Sequence, residues 1–306
     1  MIKNIEELAK EIGLPVESLQ EISNDTNYKT FKIKKRNGKQ REINAPNFKL
    51  KVIQKWILLN ILEKVSVSVE ATAFRKNSNG IKENANKHIN QKYILEIDIK
   101  DFYPSIKFSN VVNLFNHLGF NKELSLFLAK ICTFNGKLPQ GGVTSPYISN
   151  LIFKRIDKKL SKYCLYKNIN YSRYADDLTF SSNNKKVLLN ALIYIRIFFA
   201  ESQFCINENK TRLLSPSSHK IITGITVNNN ELKVNKKIKR LVRALIYYGI
   251  KNDNFIKKDK IIGNIAFVNS IEPGYSKICA KYITNCLKKF NKDDKHELLK
   301  IVENIK

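Results

Sequence analysis

Acidic residues are scarce in this chain. Its 306 residues include 27 Asp and Glu against 54 Lys and Arg, a net charge of +27. The five cysteines, at 132, 164, 205, 279 and 286, form no CxxC pair and have no histidine cluster to join them. That excludes a disulfide scaffold and a zinc ribbon or finger, and it suits reduced thiols. Long apolar runs are also lacking. The longest, Val187 to Ala200, is broken by Asn190 and Arg196, so no membrane-spanning helix and no membrane partner are expected. The opening MIKNIEELAKEIG is acidic and amphipathic, unlike a secretory signal. Only 11 Gly and 7 Pro punctuate the chain, while 43% of it is apolar, enough for a sizeable core. The expectation is a cytoplasmic globular protein.

Basic residues are what the chain has in excess. Of the 54, 45 are Lys and 9 are Arg. AT-rich coding accounts for Lys over Arg but not for a twofold excess of bases over acids. A polyanionic partner does, because Lys and Arg gain affinity for nucleic acid by releasing condensed counterions. No segment joins a basic face to a deep apolar one, so nucleic acid is favoured over an anionic membrane. The charge is uneven. Residues 1–24 carry two bases and five acids, whereas residues 236–306 carry 17 bases and 7 acids, a net +10. The latter reads as a surface that grips a phosphate backbone.

Apolar spacing predicts a helix through Ile5, Leu8 and Ile12, a break at Gly13-Leu14-Pro15, and a second short helix through Val16, Leu19 and Ile22. Residues 28–45 alternate around Asn37-Gly38, a hairpin signal. Helices are expected over 50–65, 108–118, 122–133, 147–166 and 185–203, and through the last seventy residues. Strands are expected at 93–98, 170–174, 178–182, 219–227 and 231–234, the last two joined by Asn228-Asn229-Asn230. Strands interleaved with helices, followed by a helical tail, make the fold class α+β with a helical appendage.

The sharpest local feature is Tyr174-Ala175-Asp176-Asp177 between two strand-like runs. An Asp pair is ordinarily a surface turn. A second acid weakens that reading: Asp98 ends the apolar strand YILEID, where a lone charge is costly. If the segments pair, three carboxylates converge. Oxygen ligands of that kind suit Mg²⁺ or Mn²⁺ rather than zinc, and two such ions could clamp a phosphoryl transfer.

Taken in order, Asp98-Ile99-Lys100-Asp101-Phe102-Tyr103, Leu138-Pro139-Gln140-Gly141-Gly142-Val143-Thr144-Ser145-Pro146 and Tyr174-Ala175-Asp176-Asp177 resemble a reverse transcriptase. Asn84-Ala85-Asn86-Lys87-His88 is similar to the NAxxH element of the bacterial retron branch. Ile222-Thr223-Gly224 resembles its VTG element, with Ile for Val.

The resemblance implies a right-hand polymerase fold: an N-terminal helical extension (1–27) and fingers with the NAxxH insertion (28–92). A palm of antiparallel sheet and helices would follow (93–235, with an interleaved fingers segment at about 105–140), then a basic helical thumb (236–306). It implies two Mg²⁺, with Mn²⁺ an alternative, held by Asp98, Asp176 and the Ile99 carbonyl, with Asp177 less directly engaged. Tyr103 would lie under the incoming sugar and exclude a ribose hydroxyl, though core packing accounts for such a ring equally well. Gln140 would touch the sugar, and Gly141 and Gly142 would let backbone approach the substrate. Lys210 would face the leaving pyrophosphate, against the plain alternative of a solvated lysine. Arg41 would clamp the triphosphate, with Arg75 helping there or on template. Asn84, Ala85, His88, Thr223 and Gly224 would belong to RNA-binding family elements, with packing an equal reading for His88.

The resemblance further implies RNA-directed DNA synthesis on a cognate structured noncoding RNA, primed by an internal guanosine 2′-hydroxyl. The partners would be that RNA and its RNA-linked single-stranded DNA, dNTPs, a host RNase H and a separately encoded effector, in antiphage defence. Alternatives are an abortive-infection or diversity-generating reverse transcriptase, or an RNA-binding scaffold or toxin inhibitor with incidental catalysis. Cys279 and Cys286, seven apart, read as one packed helix face, and His117 as structural. No partner is assigned to His219 or His296.

Overall fold

Apolar side chains recurring every three to four residues define most of the helices, and Asn side chains cap the N-termini of five of them among the described residues. In a computed structural model of the chain, residues 2–34, 38, 40–76, 78–228, 230–292 and 297–305 are described. Helices α1 (Ile5–Ile12) and α2 (Val16–Ile22) flank Gly13, whose φ of 80° ends α1. Strands β1 (Tyr28–Lys34) and β2 (Gln40–Pro46) form an antiparallel hairpin. Its expected turn residue Asn37 lies outside the described residues, as do Asn229 and His296. Next come α3 (Phe48–Asn60), α4 (Gly80–Asn86) and β3 (Tyr93–Lys100). Helices α5 (Phe108–His117), α6 (Lys122–Cys132) and α7 (Ser145–Tyr166) lead to β4 (Asn170–Tyr174), β5 (Asp177–Ser182) and α8 (Lys185–Ala200). Short strands β6 (Cys205–Ile206), β7 (Arg212–Leu214), β8 (Ile221–Ile222), β9 (Ile225–Thr226) and β10 (Lys233–Val234) precede α9 (Lys236–Asn252), α10 (Lys258–Ile271), α11 (Tyr275–Lys289) and α12 (Glu297–Glu303).

The chain divides into two compact units. The first comprises Met1–Gly80 and Lys92–Pro216. Its sheet runs β4-β5-β3-β6, with β7 also on β3. Alternation along β3 sends Leu95, Ile97 and Ile99 into the main core, where Leu178 and Phe180 of β5 join them. The opposite face of the same two strands carries Glu96, Asp98 and Asp177. Register fixes the result: Asp98 stands directly across from Asp177. Phe102, Phe153 and Phe204 pack beneath with ring centroids 5.1 to 5.7 Å apart.

The second unit comprises Ile81–Gln91 and Ser217–Lys306, so the 81–91 segment groups with the C-terminal helices rather than with the β1–β2 hairpin. Hydrogen bonds account for this. Lys220 Nζ donates to the Gln91 carbonyl at 3.2 Å, and Lys82 Nζ to that of Ser270 at 2.5 Å. The expected single strand over 219–227 is two strands, β8 and β9, folded on each other at Thr223-Gly224, where φ is 47° and 86°. Cys279 and Cys286 are both buried on α11. Among the described residues no helix is long and apolar enough to cross a membrane.

Candidate active site

A break in the β3 edge ladder creates the site. Strand β6 pairs with β3 up to Ile99, β7 resumes at Glu96, and residues 207–211 arch over Asp98 between them. The Asn207 backbone N–H donates to the Asp98 carbonyl at 2.8 Å. Its side-chain Nδ2 donates to Asp98 Oδ1 at 2.8 Å, and Lys210 Nζ to Oδ2 at 2.6 Å. Asp98 is only 6% exposed, so these donors compensate a carboxylate that is otherwise costly to enclose.

The second acid reaches the same place by a hairpin. Tyr174 pairs with Asp177, leaving Ala175-Asp176 as a two-residue turn with Ala175 at φ 57°. The Asp176 carbonyl accepts from the Ile99 N–H at 2.9 Å, and the Ala175 carbonyl from Arg173 Nη1 at 3.0 Å. The tip is thus held from both sides. Arg173 itself has no exposed surface. It forms a two-point pair with Asp157, at 2.9 and 2.6 Å, and a bond to Asn150 Oδ1 at 3.0 Å.

The electrostatics follow from this crowding. Burial raises the Asp176 carboxyl, and the neighbouring Asp98 adds to the effect. Surrounding protein, then the charges of Asp176 and Asp98, push Asp177 up to about 7 although its edge meets solvent. Lys210 is drawn down by its partial burial but carried above its ordinary value by the bond to Asp98 and the charges of all three acids.

A cavity of about 660 Å³ opens onto this point, lined by Asp98, Ile99, Asp176, Tyr103, Gln140, Arg41 and Lys210 among others. Asp177 does not line it, and neither does Arg75, whose guanidinium donates to the Val69 carbonyl at 3.3 Å. Gln140 is fixed through its backbone, its carbonyl accepting from Asn44 N at 2.9 Å. The expected reason for Gly141 is refined: a Cβ there would come within 2.9 Å of the Asn44 carbonyl oxygen, so the close approach is to β2. Among the described residues no three His, Cys, Asp or Glu side chains are arranged to hold a metal. The donors at the cavity's end are nonetheless hard oxygens with an ammonium already seated on one of them. That chemistry fits a hard divalent cation.

The remaining sequence-derived residues lie in the second unit. Asn84, Ala85 and His88 are fully buried, not on its surface. Asn84 Nδ2 reaches Thr223 Oγ1 at 3.5 Å, and that hydroxyl reaches the Ile81 carbonyl at 3.4 Å. The two segments therefore touch each other where the buried Asn84 meets a half-buried Thr223. Burial, with a lesser push from Lys87, lowers His88 to about 3. His219 has a partner after all, the Thr226 hydroxyl at 3.1 Å across the β8–β9 hairpin. His117 contacts the Asn113 carbonyl of its own helix at 2.6 Å. Reading the sequence assigned no role to Arg173 or Asn207. Only the position of Arg173 just before the acid pair, in a run otherwise fit for burial, hints at it.

A sheet that carries paired acids on an antiparallel hairpin, beside a nucleotide-sized cavity, is the palm of a right-hand polymerase. The profile of the family described as reverse transcriptase (RNA-dependent DNA polymerase) matches residues 33–243. The chain is 30% identical over 297 residues to the retron Ec86 reverse transcriptase of Escherichia coli, covering 96% of this chain and 92% of that protein. It is 33% identical over 276 residues to the retron Ec73 reverse transcriptase of E. coli, covering 83% and 86%. In fold it is similar to an apo telomerase from Candida tropicalis (TM-score 0.53, 14% identity), covering 90% of this chain and 60% of that one. It is also similar to a foamy viral protease-reverse transcriptase in complex with double-stranded DNA (TM-score 0.50, 17% identity), covering 91% and 43%. The chain thus spans less than two thirds of either structural neighbour. It belongs to the reverse transcriptases, RNA-directed DNA polymerases, and within them to the retron type. Enzymes of this family use divalent metal ions, and their partners are nucleic acids.

Proposed function

We propose that this chain copies a cognate structured noncoding RNA into single-stranded DNA that stays joined to RNA, priming from an internal guanosine 2′-hydroxyl. The observation that carries the site assignment is the convergence of Asp98 and Asp176 on one cavity, with Arg41, Lys210, Lys34 and Lys100 among the residues lining it. Asp98, Asp176 and the Ile99 carbonyl would hold two Mg²⁺, or Mn²⁺, with Asp177 beside them. Bound there, the ions would offset the acids and the charge developing on the transferred phosphoryl group. The protein's own residues do the rest. Arg41 binds triphosphate oxygens through its planar fork, and Lys210 leaves Asp98 to meet the departing pyrophosphate. Tyr103, edge-on to Phe102 at 5.5 Å, walls off the sugar's 2′ position, and Gln140 orients the sugar. Positioning and electrostatics are the main contributions open to such a site.

In this reading 28–80 serve as fingers, 93–216 chiefly as palm, and the basic helices as a thumb that grips RNA. Helix α9 supports the last point: it has no acidic residue, and its exposed face presents Lys236, Lys237, Arg240, Arg243 and Tyr248. Arg75 is assigned to template. Thr223 and Gly224, with the buried Asn84, Ala85 and His88, would shape the RNA-binding surface from beneath. A cytoplasmic setting, a host RNase H and a separately encoded effector for antiphage defence complete the proposal. The test is Asp98→Asn and Asp176→Asn, assayed for DNA synthesis and RNA binding. Synthesis should fall by about 10²–10³-fold, the scale of losing one major electrostatic contributor, with RNA still bound. Undiminished synthesis would overturn the site. Copurified DNA that denaturants cannot part from RNA should be present, and free DNA alone would remove the retron-specific priming.

A further inference from the structure

Helix α8 has an outer face that the chain leaves uncovered. Leu189, Ile193 and Ile197 are 42%, 57% and 61% exposed, and their spacing of four makes them one continuous ridge. The ridge continues to a charge at each end. Lys185 lies eight residues before Ile193, and Glu201 eight residues after it. Neither side chain has a partner among the described residues. Both also sit where their own helix disfavours them: the first turn of α8 holds no acid and the last no base, the reverse of what its dipole prefers.

We propose that this face pairs with the same face of a second copy of the chain. A twofold axis beside Ile193 would set the two ridges antiparallel. Leu189 of each copy would then meet Ile197 of the other, and Lys185 would meet Glu201, each contact occurring twice. The pattern Lys185-Leu189-Ile193-Ile197-Glu201 is complementary to itself when reversed, which no arbitrary partner requires. Ridges built on a spacing of four pack at a crossing angle of about −50°, the commonest class among helices. The pairing would bring each misplaced charge to the helix end that favours it. Local charge points the same way. On and beside α8, Lys185, Lys186, Arg196 and Lys159, whose ammonium lies 5.6 Å from the Phe198 ring, stand against Glu201 and Glu208, so the charge there is of both signs. Arg196 is already bound by Glu208 at 2.9 and 2.6 Å. Three apolar side chains per copy make a small interface, so association is weak and concentration-dependent.

The experiment is sedimentation of the full chain, stripped of nucleic acid, from roughly 1 to 100 µM, the range of weak association. The mass should rise toward that of a dimer. Ile193→Asp should abolish the rise with an unchanged circular dichroism spectrum, because the side chain is exposed. Lys185→Glu and Glu201→Lys should each weaken self-association about tenfold. An equimolar mixture of those two variants should restore it, because each then supplies the charge the other lacks. A wild-type chain that stays monomeric throughout overturns the proposal. So does a dimer indifferent to Ile193→Asp, a mixture that fails to recover, or association that appears only with RNA present and vanishes with nuclease.

Discussion

A guanidinium without exposed surface is tolerable only while every one of its neighbours stays in place. Arg173 answers the buried charge of Asp157 and at the same time holds the Ala175 carbonyl next to Asp176. Arg173→Leu leaves the Asp157 charge buried with the Tyr171 hydroxyl, at 2.8 Å, as its remaining donor, and should cost about 3–5 kcal/mol in urea unfolding. Arg173→Leu with Asp157→Leu should recover most of that stability, since a buried pair exchanged for apolar groups is near neutral. It cannot recover the donor to Ala175, so DNA synthesis should stay low. Stability and activity returning together would show that Arg173 only packs. His88 is the residue-scale source of acid sensitivity. Its native pKa of about 3 lies below the ordinary 6.5, so the unfolded chain takes up a proton across that window and the native chain does not. The stability from neutral His88 is therefore full above about pH 6.5 and is lost as pH falls toward 3, by up to about 1.4 kcal/mol per pH unit. His88→Asn should flatten the fall in urea midpoint between pH 7 and pH 5 relative to wild type. The acids Asp98 and Asp176 were legible as charges misplaced in strand-like runs. Arg173 was not, because arginine is almost never fully buried.

At the scale of elements, the loop 138–144 and strand β2 act as one piece. The Asn44–Gln140 backbone bond joins them, and Gly141, at φ 131°, sits where any Cβ would strike the Asn44 oxygen. Gly141→Ala should push the loop from β2 and misplace Gln140 and Arg41 together. The expected result is a rise in KM for dNTP of about tenfold or more with a smaller change in kcat. Long helices were legible because their apolar spacing runs for several turns, and Asn47, Asn121 and Asn184 each accept a backbone N–H at the start of one. The short strands β6 and β7 were not, having two or three residues in which no alternation can declare itself. The β8–β9 turn was hidden for a different reason: it sets a β-branched threonine at positive φ, which propensity disfavours. The arch over Asp98 depends on that illegible pair, so Asn207 escaped notice while Lys210 was found by its motif.

For the molecule as a whole, the surplus of base is a statement about salt. If α9 grips phosphates, log affinity for RNA should fall linearly with log salt. Changing Lys236, Lys237, Arg240 and Arg243 to Ala should make that slope shallower by roughly 0.7 to 0.9 for each phosphate no longer neutralised. An unchanged slope in filter binding would move the RNA surface elsewhere. The second unit's divided sequence has a consequence in time rather than in space. Residues 81–91 leave the ribosome 126 residues before Ser217, the start of the stretch they fold with. At about 5–20 residues per second, that is an interval of roughly 6–25 s. During it Asn84, Ala85 and His88, which end wholly enclosed, face water on a nascent chain whose other unit is already completing. The first family element is thus made early and held in waiting for the second.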